Sequence, residues 1–302
     1  MKEDVVAVIF DLDDTLTDDT ISTLLLKDSK GKIKPKKFWE EEVDRLVQGG
    51  WEPTNAWMHL LFKYMDQGLL PKYTNEVLQR FGKSLQPYPG LPSLFKDLRK
   101  IAARASCKIE FYIISGGIED IVRGFVLRPE FKDVFKAVWG SRLAPDKPGG
   151  PVKYIKRGIS FTEKTRYIYV LNKGIDLSEF EKNPALVNDF KRDEERRIPL
   201  SNMVYVGDGL SDIPCFSLIE PSARKARTEK HTKPTAPKAR DEGYVFPVFQ
   251  AKSARWAWQN LVFPSRIPRG PFDPLYGKSR SLGQNLRLAV TAICTEIKAR
   301  RA

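Results

Sequence analysis

Short runs of apolar residues, each followed by polar ones, recur along the chain and predict the strands of a sheet. The first run, Val5–Phe10, is rich in β-branched residues and ends at Asp11. Two similar runs cover 109–114 and 203–206, and a fourth at 245–249 is expected to be the last strand. Helical patterns lie between these runs, as in α/β proteins, whose parallel strands bind ligands at their carboxyl ends.

Between the first two strands, apolar residues recur at helical spacing. Pro35 suits the first turn of a helix, Thr54 or Asn55 can cap a second helix, and Thr74 can cap a third. We expect 20–86 to form a helical unit that a rigid, proline-rich break, 87–92, separates from the rest. The α/β core is then predicted to comprise 1–19 and 87–262.

The second half of the chain contains less regular patterns. Ala137–Leu143 and Val152–Ile159 are predicted to be two strands joined by a turn at 145–151, and the charged segment 180–197 a solvent-facing helix. Residues 221–243 contain lysine, arginine and proline with almost no large apolar residue, so we expect them to be disordered. Residues 263–302 form a C-terminal extension that ends in a helix over 286–298.

Composition limits the classes of partner. The chain has 302 residues, 41% of them hydrophobic, and a formal net charge of +13 from 51 basic and 38 acidic residues. This charge suits a nucleic acid, an anionic membrane surface or simply an anionic substrate. The three cysteines match no metal-binding spacing, and no apolar run approaches membrane-spanning length. We therefore expect a cytosolic protein with reduced thiols.

Four carboxylates are the strongest chemical signal in the sequence. Asp11 and Asp13 lie two residues apart after the first strand, so an extended backbone points both side chains the same way. Asp208 and Asp212 follow the strand at 203–206, where glycines permit a tight loop that turns both towards Asp11. Carboxylates this close repel one another unless a cation lies between them, and hard oxygen ligands suit Mg²⁺. The alternative for the first pair alone is an ordinary acidic turn.

These residues carry a resemblance to a known family. Asp11-x-Asp13-x-Thr15 resembles motif I of the haloacid dehalogenase superfamily of phosphatases and phosphotransferases. Ser115-Gly116-Gly117 is similar to motif II, and Gly207-Asp208-Gly209 with Asp212 is similar to motif IV. The resemblance implies a Rossmann-like three-layer α/β/α core with a mostly parallel sheet and an inserted helical C1 cap. The phosphoserine phosphatase branch is the most similar.

Two lysines compete for motif III of the family. Lys164 is predicted in the first turn of a helix, where the helix dipole disfavours a cation, and Lys173 in the last turn, where it favours one. A cation in this unfavourable position needs a negatively charged partner, and the carboxylates and a phosphoryl group would supply one. We therefore prefer Lys164.

The resemblance also implies a mechanism. Asp11 attacks phosphorus, Asp13 acts as the acid and base, and Ser115, Gly116 and Lys164 hold the phosphoryl oxygens. Mg²⁺ is held by Asp11, the main-chain carbonyl of Asp13, and Asp208, with Asp212 nearby. The substrate is expected to be a small phosphorylated molecule, and phosphoserine stays open because no residue pair in the cap is assignable to its carboxylate and ammonium. The alternatives are a phosphotransferase, or a non-catalytic protein that binds nucleic acid through 221–243.

Overall fold

The structure, a computed structural model, describes residues 4–219, 244–247, 272–277 and 281–301. It forms two compact units, one of 1–16, 88–112 and 161–302 and the other of 17–87 and 113–160. The predicted cap, 20–86, falls within the second unit, which also contains the hairpin region, and its assignment as a cap stays a prediction. The predicted disorder of 221–243 concerns residues outside the described ones.

Six strands form a mixed, mostly parallel sheet, which confirms the predicted α/β class. The strands are β1 (Val5–Phe10), β2 (Lys108–Ile118), β3 (Phe135–Pro145), β4 (Val152–Arg157), β5 (Met203–Gly207) and β6 (Tyr244–Pro247). Their order in the sheet is β4-β3-β2-β1-β5-β6. β5 runs parallel to β1 and to β6, whereas β3 and β4 form the predicted antiparallel hairpin.

Helices account for most of the remaining described chain. The α-helices are α1 (Thr20–Asp28), α2 (Pro35–Lys37), α3 (Asp44–Gln48), α4 (Pro53–Asp66), α5 (Asn75–Ser84), α6 (Leu91–Arg104), α7 (Glu119–Val126), α8 (Phe161–Lys173), α9 (Leu177–Lys182), α10 (Ile213–Ile219) and α11 (Ser281–Arg301). A π-helical segment, Phe38–Val43, joins α2 to α3. Short 3₁₀ turns cover Pro129–Phe131, Pro184–Asn188, Asp193–Glu195, Leu200–Asn202 and Leu210–Asp212. None of the described helices combines the length and the apolar character that a membrane crossing requires.

β1 lies at the centre of the first unit. All six of its residues are fully buried, as expected for a parallel strand that is covered on both faces. It pairs in register with β5, so that Ala7 lies opposite Met203 and Phe10 opposite Val206. The N–H of Asp11 extends this ladder by donating to the carbonyl of Val206 at 2.8 Å. The carboxyl ends of both strands therefore meet at one edge of the sheet.

Three sequence predictions need correction. The segment 180–197 is not one helix, because α9 ends at Lys182 and Pro184, which has no N–H to donate, begins a 3₁₀ turn. The cap of α4 is Glu52, whose carboxylate accepts from the N–H of Asn55 at 2.8 Å, rather than Thr54 or Asn55. Ser115 and the two glycines after it belong to β2, which continues to Ile118 before α7 begins.

In the second unit, α5 and α7 pack with their backbones in close approach, and two glycines make this possible. A Cβ at Gly124 would lie 1.9 Å from the carbonyl oxygen of Gln79, and one at Gly82 would lie 2.0 Å from that of Ile121. Both obstacles are backbone atoms, which cannot move aside without separating the helices. Residues larger than glycine are therefore excluded at this crossing.

We predict that Gly124→Ala lowers the free energy of unfolding by about 2 kcal/mol, the usual size of an overpacking penalty. The sign is informative, because alanine in a helix interior is ordinarily more favourable than glycine by about 1 kcal/mol. Denaturant unfolding measures the change. Lys83→Ala is the control, since Lys83 is exposed on α5 and should change stability by less than about 0.5 kcal/mol. A stabilised Gly124→Ala variant would contradict this packing.

Candidate active site

Three carboxylates converge where β1 and β5 end. Asp11 follows β1 directly, Asp208 follows β5, and Asp212 closes the 3₁₀ turn that comes next. Ligand oxygens of the three lie within 4.8 Å of one another. The turn can close this tightly because residue 207 is glycine: a Cβ there would lie 2.4 Å from the carboxyl carbon of Asp212. The convergence that the sequence predicted for these three residues is therefore present.

Lys164 lies between two of these carboxylates. Its Nζ donates to Asp11 Oδ2 at 2.8 Å and to Asp212 Oδ1 at 2.7 Å, and the side chain is completely buried. Lys173, at the other end of α8, instead donates to the carbonyls of Val187 and Asp189, both at 2.6 Å. Of the two candidate lysines, Lys164 is thus the one beside the carboxylates, and its catalytic role stays a prediction.

Other donors orient the same two carboxylates. The N–H of Leu12 donates to Asp11 Oδ1 at 2.7 Å, so both oxygens of Asp11 are engaged. Asp212 also accepts from the hydroxyl of Tyr205 at 2.7 Å and from the N–H of Gly209 at 3.0 Å. Sequence reasoning missed Tyr205; its only signal is a hydroxyl on an otherwise apolar, buried strand, where such a group needs a partner.

Crowding and burial raise the pKa values of the carboxyl groups in this cluster. Burial raises the pKa of Asp11 to about 8; Lys164 opposes that rise, whereas Asp212 and Asp13 add to it. Burial, followed by the charges of Asp11 and Asp212, raises the pKa of Asp208 well above its usual range. Burial lowers the pKa of Lys164, but the two carboxylates outweigh it and the net shift is upward, so the ammonium persists. Three crowded carboxyl groups thus share one ammonium, and the two with raised pKa values tend to keep their protons while no further cation is bound.

The crowding of these carboxyl groups and their donor chemistry fit a divalent cation, whose charge would take the place of the protons they hold. Three carboxylates with ligand oxygens this close supply hard oxygen ligands of the kind that Mg²⁺ prefers. Within the described part of the chain, the cluster consists of Asp11, Asp208 and Asp212. Asp13 is half-buried in the loop after β1, and its charge contributes to the raised pKa of Asp11.

Ser115 and Gly116, the predicted phosphate-binding residues, lie in the second unit near the end of β2. Ser115 is buried, and its Oγ accepts from the N–H of Gly117 at 2.9 Å. The carbonyl of Gly116 accepts from the hydroxyl of Ser141 at 2.9 Å. Both residues lie in a strand, and α7 begins only at Glu119. Their assignment to phosphate stays a prediction.

Comparison with known proteins defines the family. The model of the haloacid dehalogenase-like hydrolases matches residues 8–217, which include Asp11, Asp13, Lys164, Asp208 and Asp212. That match covers more than half of the chain. The chain therefore belongs to the haloacid dehalogenase-like hydrolase family, as motif I and motif IV predicted.

Individual similar proteins have low sequence identity to this chain, between 12% and 27%. An uncharacterised protein of Borreliella burgdorferi is 27% identical over 237 residues, which are 72% of this chain and 79% of that protein. A probable phosphoserine phosphatase from Vibrio cholerae is 12% identical with a TM-score of 0.50, covering 98% of this chain and 68% of that one. A phosphoserine phosphatase solved as a phospho-aspartyl intermediate analogue is 17% identical with a TM-score of 0.48, covering 95% and 99%.

Removing the ammonium should show how much it contributes to the free energy of unfolding. We predict that Lys164→Met, measured in EDTA at neutral pH, loses about 3 kcal/mol of unfolding free energy, because Asp11 and Asp212 lose the buried ammonium that donates to both. Chemical denaturation followed by circular dichroism gives the value.

Lys173→Met is the matched control on the same helix. It loses hydrogen bonds to two carbonyls at a half-exposed position, so we expect a change of about 1 kcal/mol or less. Equal losses in the two variants would show that the carboxylates do not depend on Lys164.

Proposed function

We propose that this protein is a Mg²⁺-dependent phosphomonoester phosphatase that works through an aspartyl-phosphate intermediate. The observation that carries the proposal is the buried ammonium of Lys164 between Asp11 and Asp212, beside a third carboxylate, in a hydrolase of this family. Phosphoryl transfer requires a fixed nucleophile and positive charge where negative charge accumulates in the transition state. These residues supply both.

Asp11 is the proposed nucleophile. The Leu12 N–H and Lys164 bind its two oxygens, which fixes the direction of attack. In the first step an Asp11 oxygen bonds to phosphorus while the bond to the leaving alkoxide breaks, and Asp13 donates a proton to that alkoxide. In the second step Asp13 takes a proton from water, the water oxygen bonds to phosphorus, and the bond to Asp11 breaks.

The carboxylates of Asp11 and Asp208 and the main-chain carbonyl of Asp13 are the proposed magnesium ligands, with Asp212 nearby. When bound, the ion supplies the positive charge that lets an anionic nucleophile approach an anionic phosphate. Asp212 has a second proposed task, since it accepts from Lys164, Tyr205 and the Gly209 N–H. It holds the ammonium at the nucleophile. Ser115 and Gly116 keep their proposed role of binding phosphoryl oxygens.

We propose a small phosphorylated molecule as the substrate. Capped members of the family enclose such molecules, and the helices α1 to α5 occupy the sequence interval expected for a cap. The motifs Ser115-Gly116-Gly117 and Gly207-Asp208-Gly209 are similar to the phosphoserine phosphatase branch. Phosphoserine is therefore the first substrate to test, within a screen of phosphorylated metabolites in the presence of Mg²⁺.

Asp11→Asn should abolish turnover of any phosphomonoester that the protein hydrolyses, because an amide cannot form the phosphorylated intermediate. Release of p-nitrophenol from p-nitrophenyl phosphate measures it, and circular dichroism checks the fold. Asp18→Asn, at an exposed aspartate a few residues later, should keep wild-type kcat. Near wild-type turnover by Asp11→Asn would contradict the proposed mechanism.

Magnesium should stabilise the protein as well as activate it. We predict that EDTA abolishes turnover, that added Mg²⁺ restores it, and that Mg²⁺ at a hundredfold excess over its Kd raises the unfolding free energy by about 2.7 kcal/mol. Asp208→Asn should lose most of that stabilisation, since one ligand oxygen and one negative charge are gone. Undiminished turnover in the chelator would rule out the metal assignment, and equal stabilisation of both proteins would rule out Asp208 as a ligand.

A further inference from the structure

A segment near the C-terminus, residues 272–277, contacts the loop of motif I. Residues 272–277 and α11 lie beyond the part of the chain that matches the family model, 8–217. The hydroxyl of Tyr276 donates to the main-chain carbonyl of Thr15 at 2.6 Å, and both residues are completely buried. We propose that Tyr276 is a positioning residue of the active site, which holds the turn that carries Asp13 through the carbonyl of Thr15. This inference rests on the proposed phosphatase function.

The turn that Tyr276 contacts is tight and carries the proposed acid and base. The N–H groups of Thr15 and Leu16 both donate to the carbonyl of Leu12, at 3.2 and 2.8 Å, so the chain folds back around Asp13 and Asp14. Asp14 has a φ of +50°, a left-handed conformation that non-glycine residues rarely adopt. A turn of this kind persists only when contacts with its surroundings hold it in place. The hydrogen bond from Tyr276 to the carbonyl of Thr15 is one such contact.

Several contacts fix Tyr276 itself. Its ring packs edge-on against Phe10, the last residue of β1, with 6.5 Å between the ring centroids. Its N–H donates to the carbonyl of Pro89 at 3.1 Å. The chain crosses Gly90 so closely that a Cβ there would lie 2.4 Å from the nitrogen of Gly277. Tyr276 is thus fixed at its ring, its hydroxyl and its backbone.

The segment is also joined to α11, which packs on the core. The N–H of Gly283, in the first turn of α11, donates to the carbonyl of Leu275 at 3.3 Å. Arg287 of the same helix forms an ion pair with Asp97 of α6, with 2.9 Å between the charged atoms. Residues 272–277 and α11 are therefore a structural part of the first unit, and Tyr276 contacts motif I.

The geometry gives Tyr276 one hydrogen-bonding task. A carbonyl oxygen can only accept, so the phenol must donate its proton, and burial together with the charge of Asp208 raises the pKa of Tyr276 and keeps it protonated. Without that donor, the buried carbonyl of Thr15 loses this partner and the turn can shift. Displacements of about 1 Å in catalytic groups can cost two orders of magnitude in rate, and the loss of one such support is expected to cost about tenfold.

Tyr276→Phe in the full chain tests the proposal, because it removes the hydroxyl alone. We expect kcat on p-nitrophenyl phosphate to fall about tenfold with KM changed less than about twofold, since the substrate-binding groups stay in place. Amide hydrogen exchange at Thr15 and Leu16 should become at least about tenfold faster, while the amides of β1 keep their protection. Exchange reports on the turn whether or not the protein is a phosphatase.

Tyr112→Phe is the matched control. Tyr112 is buried in the same unit and its hydroxyl donates to Glu110, so exchange at Thr15 and Leu16 and kcat should both stay at wild-type values. Unchanged exchange at these amides in Tyr276→Phe would overturn the proposal, as would faster exchange with unchanged kcat. If the wild type hydrolyses no phosphomonoester, the proposed function fails, and exchange still decides whether Tyr276 holds the turn.

Discussion

The buried ammonium of Lys164 is the interaction on which the rest of the site depends. Moving an ammonium and two carboxylates out of water is costly, and the attraction between them offsets that cost only with close, hydrogen-bonded geometry. Here that geometry is provided by 2.8 and 2.7 Å contacts to Asp11 and Asp212, and by the Tyr205 and Gly209 donors to Asp212. A cation in the first turn of α8 is unfavourable for the helix dipole, and the two carboxylates outweigh that cost.

The same geometry explains why the site is suited to phosphoryl transfer. Parallel pairing of β1 with β5 places Asp11 beside the loop of Asp208 and Asp212, and burial makes their mutual repulsion strong. One lysine cannot neutralise three ionised carboxylates, so ionising all of them favours a further cation, for which Mg²⁺ is the proposal. An anionic substrate can approach the nucleophile only where such positive charge is supplied. The proposed function follows from this crowding of carboxyl groups, which the fold maintains at one edge of the sheet.

The parts of the fold that depend on local pattern were predictable. The uniform apolar run before Asp11 indicated a buried strand, and the dipole argument selected Lys164 over Lys173. What depends on distant parts of the chain was not predictable. The hydrogen bond from Tyr276 to Thr15 joins residues 261 positions apart. The sequence around either residue gives no indication of this contact. The sequence Ser115-Gly116-Gly117 is typical of a loop. Its place in β2 depends on pairing with neighbouring strands, which the local sequence does not indicate. Pro184 marks a break in the sequence, but the charged pattern around it predicts one helix, and that prediction is wrong.

In the proposed mechanism the phosphoryl group is transferred to Asp11 before it is transferred to water. Acid quenching during turnover of p-nitrophenyl phosphate, followed by borohydride reduction and peptide mass spectrometry, tests this directly, because borohydride reduces an aspartyl-phosphate to homoserine. The account predicts homoserine at position 11 and at none of the other aspartates. Homoserine at a different aspartate, or its absence in enzyme quenched during steady turnover, would contradict it.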